Sequence, residues 1–107
     1  MPEIIWRAGL DLNPIDLNNP EYVRWLEALV WPGQEDRGNR LRLAIEIARQ
    51  APPRVVKGDL LTDVRSLAAV APPNATLVIF HTAVLGYLRS RDDIDHFRST
   101  VTSLDAV

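Results

Sequence analysis

Two carboxylates in this sequence stand just after a glycine at the end of a short apolar stretch, in Gly9-Leu10-Asp11 and in Gly58-Asp59. An imidazole, His81, ends a third and longer apolar run, Ala75-Thr76-Leu77-Val78-Ile79-Phe80. A carboxylate in such a place accepts hydrogen bonds from hydroxyl or amino groups, and an imidazole takes up or returns a proton near neutral pH. Polar residues just past the ends of parallel strands line the crevice where α/β folds bind ligands. Gly9, Asp11, Gly58, Asp59 and His81 are therefore the candidate site, with a small molecule as its ligand. A plainer reading stands beside each. Asp11 and Asp16 suit backbone turns, Asp59 suits the N-cap of a helix, and a half-buried histidine commonly serves one backbone partner.

The elements that must position these residues follow from periodicity and punctuation. Residues 3–11 read as a strand running into the loop Asn13-Pro14-Ile15-Asp16, where Pro14 ends regular structure. Asn19-Pro20-Glu21 carries an N-cap, a first-position proline and a first-turn acid, and Val23, Leu26, Leu29 and Val30 continue as the apolar face of a helix over 20–30. Trp31-Pro32-Gly33 stops it, and a second helix over 34–50 buries Leu41, Ala44, Ile45 and Ala48. Ala51-Pro52-Pro53 precedes a short strand, Arg54–Lys57, and a third helix spans 61–71. The continuous apolar run at 75–80 has the composition of a parallel strand covered on both faces. Residues 83–88 turn helical, and a last helix runs from Arg91 through Ile94, Phe97, Val101 and Leu104. Strands alternating with helices predict an α/β fold: a small, three-stranded, mainly parallel sheet with flanking helices, in one domain over residues 1–107.

Composition narrows the function classes. Hydrophobic residues make up 47% of 107, enough for a packed core rather than a disordered chain. The net charge of −2 gives no attraction toward nucleic acid or anionic lipid, so neither is an expected partner. The absence of cysteine removes disulfides, thiolate catalysis and zinc–thiolate sites. No apolar run approaches the ~18 residues of a membrane span and no signal-peptide pattern opens the chain, which predicts a cytoplasmic protein. Asp92-Asp93-x-Asp95-His96 lacks the glycine and glutamate of a calcium loop, and on a helix its side chains splay over different faces, so no metal site is expected. The tryptophans suit either stacking on a base or packing, and Arg37–Arg42 either a phosphate or a solvated helix face. Neither a nucleophile elbow nor a phosphate-binding Gly-x-x-x-x-Gly-Lys loop is present.

The spacing Arg7-x-Gly9-x-Asp11-x-x-Pro14-x-Asp16, then Trp25-Leu26-x-x-Leu29-x-Trp31-Pro32, Arg37-x-x-Arg40-Leu41, Gly58-Asp59 and Phe80-His81-x-x-x-Leu85 resembles a family of longer bacterial proteins of unknown function. That family in turn resembles the Rossmann-like S-adenosylmethionine-dependent methyltransferases. The resemblance implies that Asp11 receives the ribose hydroxyls of S-adenosylmethionine, that Asp59 lies near the adenine amine, and that His81 stands on the substrate side. No Gly-x-Gly occurs in the chain, so the resemblance implies the central part of that fold, with a missing upstream segment carrying the glycine-turn half of the cofactor site. The competing expectation is a non-catalytic interaction or structural α/β domain. Its open sheet edges would be covered by another chain or by a second copy in a homo-oligomer.

Overall fold

The computed structural model describes residues 1–106. In chain order its elements are β1 (Ala8–Asp11), α1 (Pro20–Ala28), α2 (Glu35–Gln50), β2 (Arg54–Lys57), α3 (Val64–Ala68), a 3₁₀ turn (Ala83–Tyr87), α4 (Arg91–Thr102) and a second 3₁₀ turn (Ser103–Ala106). β1 and β2 pair as a two-stranded parallel sheet, so the class is mixed α/β. No helix among the described residues is long and apolar enough to cross a membrane. The chain falls into two compact units, Pro14–Arg54 and the combination of Met1–Asn13 with the residues from Val55 on.

The Pro14–Arg54 unit is a helical pair. α1 begins as its sequence predicts: Asn19 Oδ1 accepts the Glu21 N–H at 3.0 Å and Pro20 takes the first helical position. Such a cap stabilises a helix by about 1 kcal/mol. Ile45 is the buried side chain of α2, with Leu41 and Ala48 half-buried on the same face. Leu29 and Ala44, expected on the buried faces, are exposed, as are Leu43 and Ile47. Arg49 Nε donates to the Leu17 carbonyl at 3.0 Å and ties the end of α2 to the loop before α1.

In the other unit, α4 supplies the core. Phe97 is buried, with Ile94, Val101 and Leu104 half-buried along its helical face. Ser90 Oγ caps α4 by accepting the Asp93 N–H at 3.1 Å, and His96 Nε2 lies 3.2 Å from the Leu61 carbonyl oxygen. Arg65 Nη2 on α3 donates to Ser103 Oγ at 2.6 Å. α3 is five residues long, not the helix expected over 61–71, because Asp59 captures the preceding backbone. Its carbonyl accepts the N–H groups of Thr62 and Asp63, and its carboxylate accepts that of Leu61.

The third strand expected at Ala75–Phe80 does not join the sheet, which holds two strands and not three. Composition alone favours an extended apolar run, but a strand exists only where another edge supplies its hydrogen bonds. Exposure along the run still alternates: Leu77 40%, Val78 74%, Ile79 36%, Phe80 87%. All four side chains are exposed, Val78 and Phe80 more so than Leu77 and Ile79.

Little apolar surface is withdrawn from water. The accessible area is 9076 Å² for 12.0 kDa. Phe97 is therefore decisive for its unit. Phe97→Ala should lower unfolding free energy by about 3 kcal/mol in urea titration, whereas Tyr87→Ala, at an 85% exposed position, should change it by less than about 0.5 kcal/mol.

Candidate functional site

The glycine-bearing ends of β1 and β2 lie side by side. Beyond the ladder proper, the Gly58 N–H donates to the Asp11 carbonyl at 2.9 Å. Parallel pairing makes both strands end in the same direction, so Asp11 and Asp59 leave the sheet at one edge. Each then folds its carboxylate onto its own turn. Asp11 Oδ1 accepts the Asn13 N–H at 2.9 Å, and Asp59 Oδ1 accepts the Leu61 N–H at 2.8 Å. Asp16 does the same with the Asn18 N–H at 2.9 Å. These are Asx-turns, so the plain turn reading of Asp11 and Asp16 holds as far as one oxygen is concerned. Among the described residues, the second oxygen of Asp11 and that of Asp59 accept no hydrogen bond. Asp11 is exposed and Asp59 half-buried.

The two glycines have different reasons to be there. A Cβ at Gly58 would lie 2.7 Å from Asp63 Oδ2, 2.8 Å from Leu10 Cδ1 and 3.2 Å from Asp63 Cβ, so alanine there would displace both side chains. A Cβ at Gly9 would meet Val55 Cγ2 at 3.5 Å, an ordinary van der Waals contact. Packing thus favours glycine at 58 and permits a side chain at 9.

Asp63 is the residue that sequence reasoning passed over. Its position before α3 marks an N-cap, yet its side chain makes no cap bond to the helix. Oδ2 instead reaches back to accept the Asp59 N–H at 2.7 Å. The Gly58-Asp59-x-x-x-Asp63 spacing is the signal that could have shown it, since it brings the second acid back onto the first residue's amide. The turn that carries Asp59 is therefore held from both sides.

His81 is set apart from the acid pair. It is exposed, its Nδ1 lies 3.5 Å from the Thr82 carbonyl oxygen, and its ring meets Phe97 edge-on at a centroid distance of 5.5 Å and 76°. Among the described residues, no hydrogen bond joins it to Asp11 or Asp59 and no carboxylate orients its imidazole. Two clefts of about 420 and 430 Å³ lie elsewhere. One in the helical pair is lined by Glu27, Trp31, Gly38 and Arg42 among others, and one by Leu88–Arg91, Ile94 and Arg98. Neither includes Asp11, Asp59 or His81.

A free carboxylate oxygen on Asp11 and another on Asp59 suit ligand hydroxyl and amino hydrogens, and charge-assisted bonds of this kind are the stronger ones. The Gly58 N–H is already spent on Asp11 and the Asp59 N–H on Asp63, so neither of these amides is free for a cofactor.

Comparison with known proteins gives one match. The family model described as "Uncharacterized protein conserved in bacteria (DUF2332)" matches residues 1–106. No curated protein matches, and no solved structure matches.

The unequal glycines give a direct check of this geometry. Gly58→Ala should lower unfolding free energy by about 1–3 kcal/mol, the range for overpacking at a close contact. Gly9→Ala should leave it within about 0.5 kcal/mol, or raise it slightly through the unfolded chain. Paired urea titrations read both, and equal losses at the two positions would contradict the assigned packing.

Proposed function

The chain belongs to this family of uncharacterised bacterial proteins, and from that premise we propose that it is the central part of a Rossmann-like domain that binds S-adenosylmethionine and serves methyl transfer. One observation carries the reading: the Gly58 N–H bonded to the Asp11 carbonyl sets two acid-bearing strand ends side by side, each with a carboxylate oxygen free. In this reading Asp11 receives the ribose hydroxyls and Asp59 the amino group of the base. Gly9 lets the ligand lie close to β1, and Gly58 holds the Asp59 turn in place. Bound there, the cofactor supplies an electrophilic methyl group on a sulfonium. The chain's own part in such a reaction is positioning, because in-line displacement gains most of its rate from held geometry. His81 takes the proton from the acceptor in this reading, and its exposed ring is open to a substrate. In this reading residues 1–107 act as one domain that holds the acidic half of the cofactor site.

A second reading, a non-catalytic interaction domain, is favoured by a separate observation. Large apolar side chains stand in water in both units, among them Trp31 at 76% and Phe80 at 87% exposure.

Isothermal titration with S-adenosylmethionine separates the two. The cofactor reading predicts saturable heat with the chain. Asp11→Ala should weaken affinity at least about tenfold, since a hydrogen bond to a charged group contributes about 1.5–3 kcal/mol. Asp16→Ala should leave affinity unchanged, because that carboxylate serves only the Asn18 turn. Absence of heat, or equal effects at positions 11 and 16, would sink the cofactor reading.

A further inference from the structure

From the hydrogen bonds around the Asp59 turn we infer that His96 of α4 is a positioning residue for the Asp59 carboxylate. The inference rests on the proposed function for what that carboxylate does, and on geometry alone for how it is held. His96 Nε2 lies 3.2 Å from the Leu61 carbonyl oxygen. A carbonyl only accepts, so Nε2 carries the proton and donates. Among the described residues no other hydrogen bond reaches that carbonyl.

The bond acts on Asp59 through the two peptide units that meet at Leu61. The unit whose C=O accepts from His96 also presents the Thr62 N–H, which donates to the Asp59 carbonyl at 3.1 Å. The unit before it presents the Leu61 N–H, which donates to Asp59 Oδ1 at 2.8 Å. A peptide unit is planar, so fixing its C=O fixes the direction of its N–H. Polarising such a unit at one end also strengthens the hydrogen bond at the other. His96 thus holds the backbone that holds Asp59, and it leaves the second carboxylate oxygen for a ligand.

The Asp11 turn shows what such a turn needs by itself. Its carboxylate accepts the Asn13 N–H at 2.9 Å, and among the described residues no side chain of another element bonds to residues 11–13. An Asx-turn therefore closes without an outside imidazole. What the His96 bond adds is a fixed place for Asp59 relative to α4. The next residue of α4, Phe97, meets the His81 ring edge-on at a centroid distance of 5.5 Å. Consecutive residues of one helix contact the acid turn and the imidazole that takes the proton in the proposed reaction.

Amide hydrogen exchange, followed residue by residue by NMR in the whole chain, reads the turn without a ligand. His96 is exposed, so replacing it leaves the packing of Phe97 in place. His96→Ala should speed exchange of the Leu61 and Thr62 amides about three- to tenfold, the factor that one hydrogen bond contributes. His96→Gln, whose side-chain amide nitrogen takes the place of Nε2, should restore both rates to within about twofold. The Asn13 amide, in a turn that α4 does not hold, should keep its rate in both variants. Titration with S-adenosylmethionine reads the site itself: His96→Ala should weaken affinity about three- to tenfold, and His96→Gln should restore it. Unchanged exchange at Leu61 and Thr62, equal acceleration at Asn13, no rescue by glutamine, or undiminished affinity in His96→Ala would overturn the inference. Exchange that responds as expected in a chain that gives no heat with S-adenosylmethionine would sink the cofactor reading and uphold the positioning of Asp59.

Discussion

The bond from the Gly58 N–H to the Asp11 carbonyl is the constraint on which the acid pair depends. It lies just beyond the β1–β2 ladder, and Asp63 and Leu10 occupy the space that a Cβ on Gly58 would need. Asp63 in turn holds the Asp59 amide, and Asp59 holds the amide of Leu61. One missing methyl group thus allows a chain of backbone and carboxylate bonds. That chain ends the sheet, starts α3 late, and leaves two acids at one edge. Those acids are oriented by local turns rather than by deep burial, so their placement costs little and uses only half of each carboxylate.

The rest of the molecule contrasts with that tightness. Each unit buries one large side chain, Ile45 in the helical pair and Phe97 in the unit with the sheet. The ion pairs add little: Arg42–Glu27 at 3.5 Å and Arg98–Asp95 at 3.9 Å are solvent-exposed, and such pairs contribute well under about 1 kcal/mol. Apolar burial is the main favourable term in folding, and here side chains such as Val78 and Phe80 stand exposed. The exposed apolar residues are regularly placed. They lie at Trp25 on α1 and Leu29 at its C-cap, and on α2 at Leu43 and Ile47, in each case four residues apart.

What was legible in the sequence was local. Asn19-Pro20-Glu21 specified a helix start through its cap bond, and Pro52-Pro53 a stop before β2, because those signals act within a few residues. The Gly58-Asp59 turn was legible as a strand end for the same reason. Pairing was not legible. The apolar run at 75–80 reports that its side chains avoid water, but it carries no mark of which strand lies beside it. In doubly wound sheets, strands successive in sequence are often not neighbours. The length of α3 was hidden because the apolar periodicity of Leu61, Val64 and Leu67 does not show that Asp59 holds the first turn back. The role of Asp63 needed the folded chain, since an acid before a helix reads as a cap whichever amide it serves.

The proposed binding of a ligand at the paired ends of β1 and β2 can be read residue by residue. Amide proton–nitrogen correlation spectra recorded during titration with S-adenosylmethionine would report it. The account predicts that the signals of Asp11–Asn13 and Gly58–Leu61 move together and saturate at one concentration, while those of Trp31–Asn39 stay in place. Movement confined to the Trp31 cleft, or none at either strand end, would contradict it.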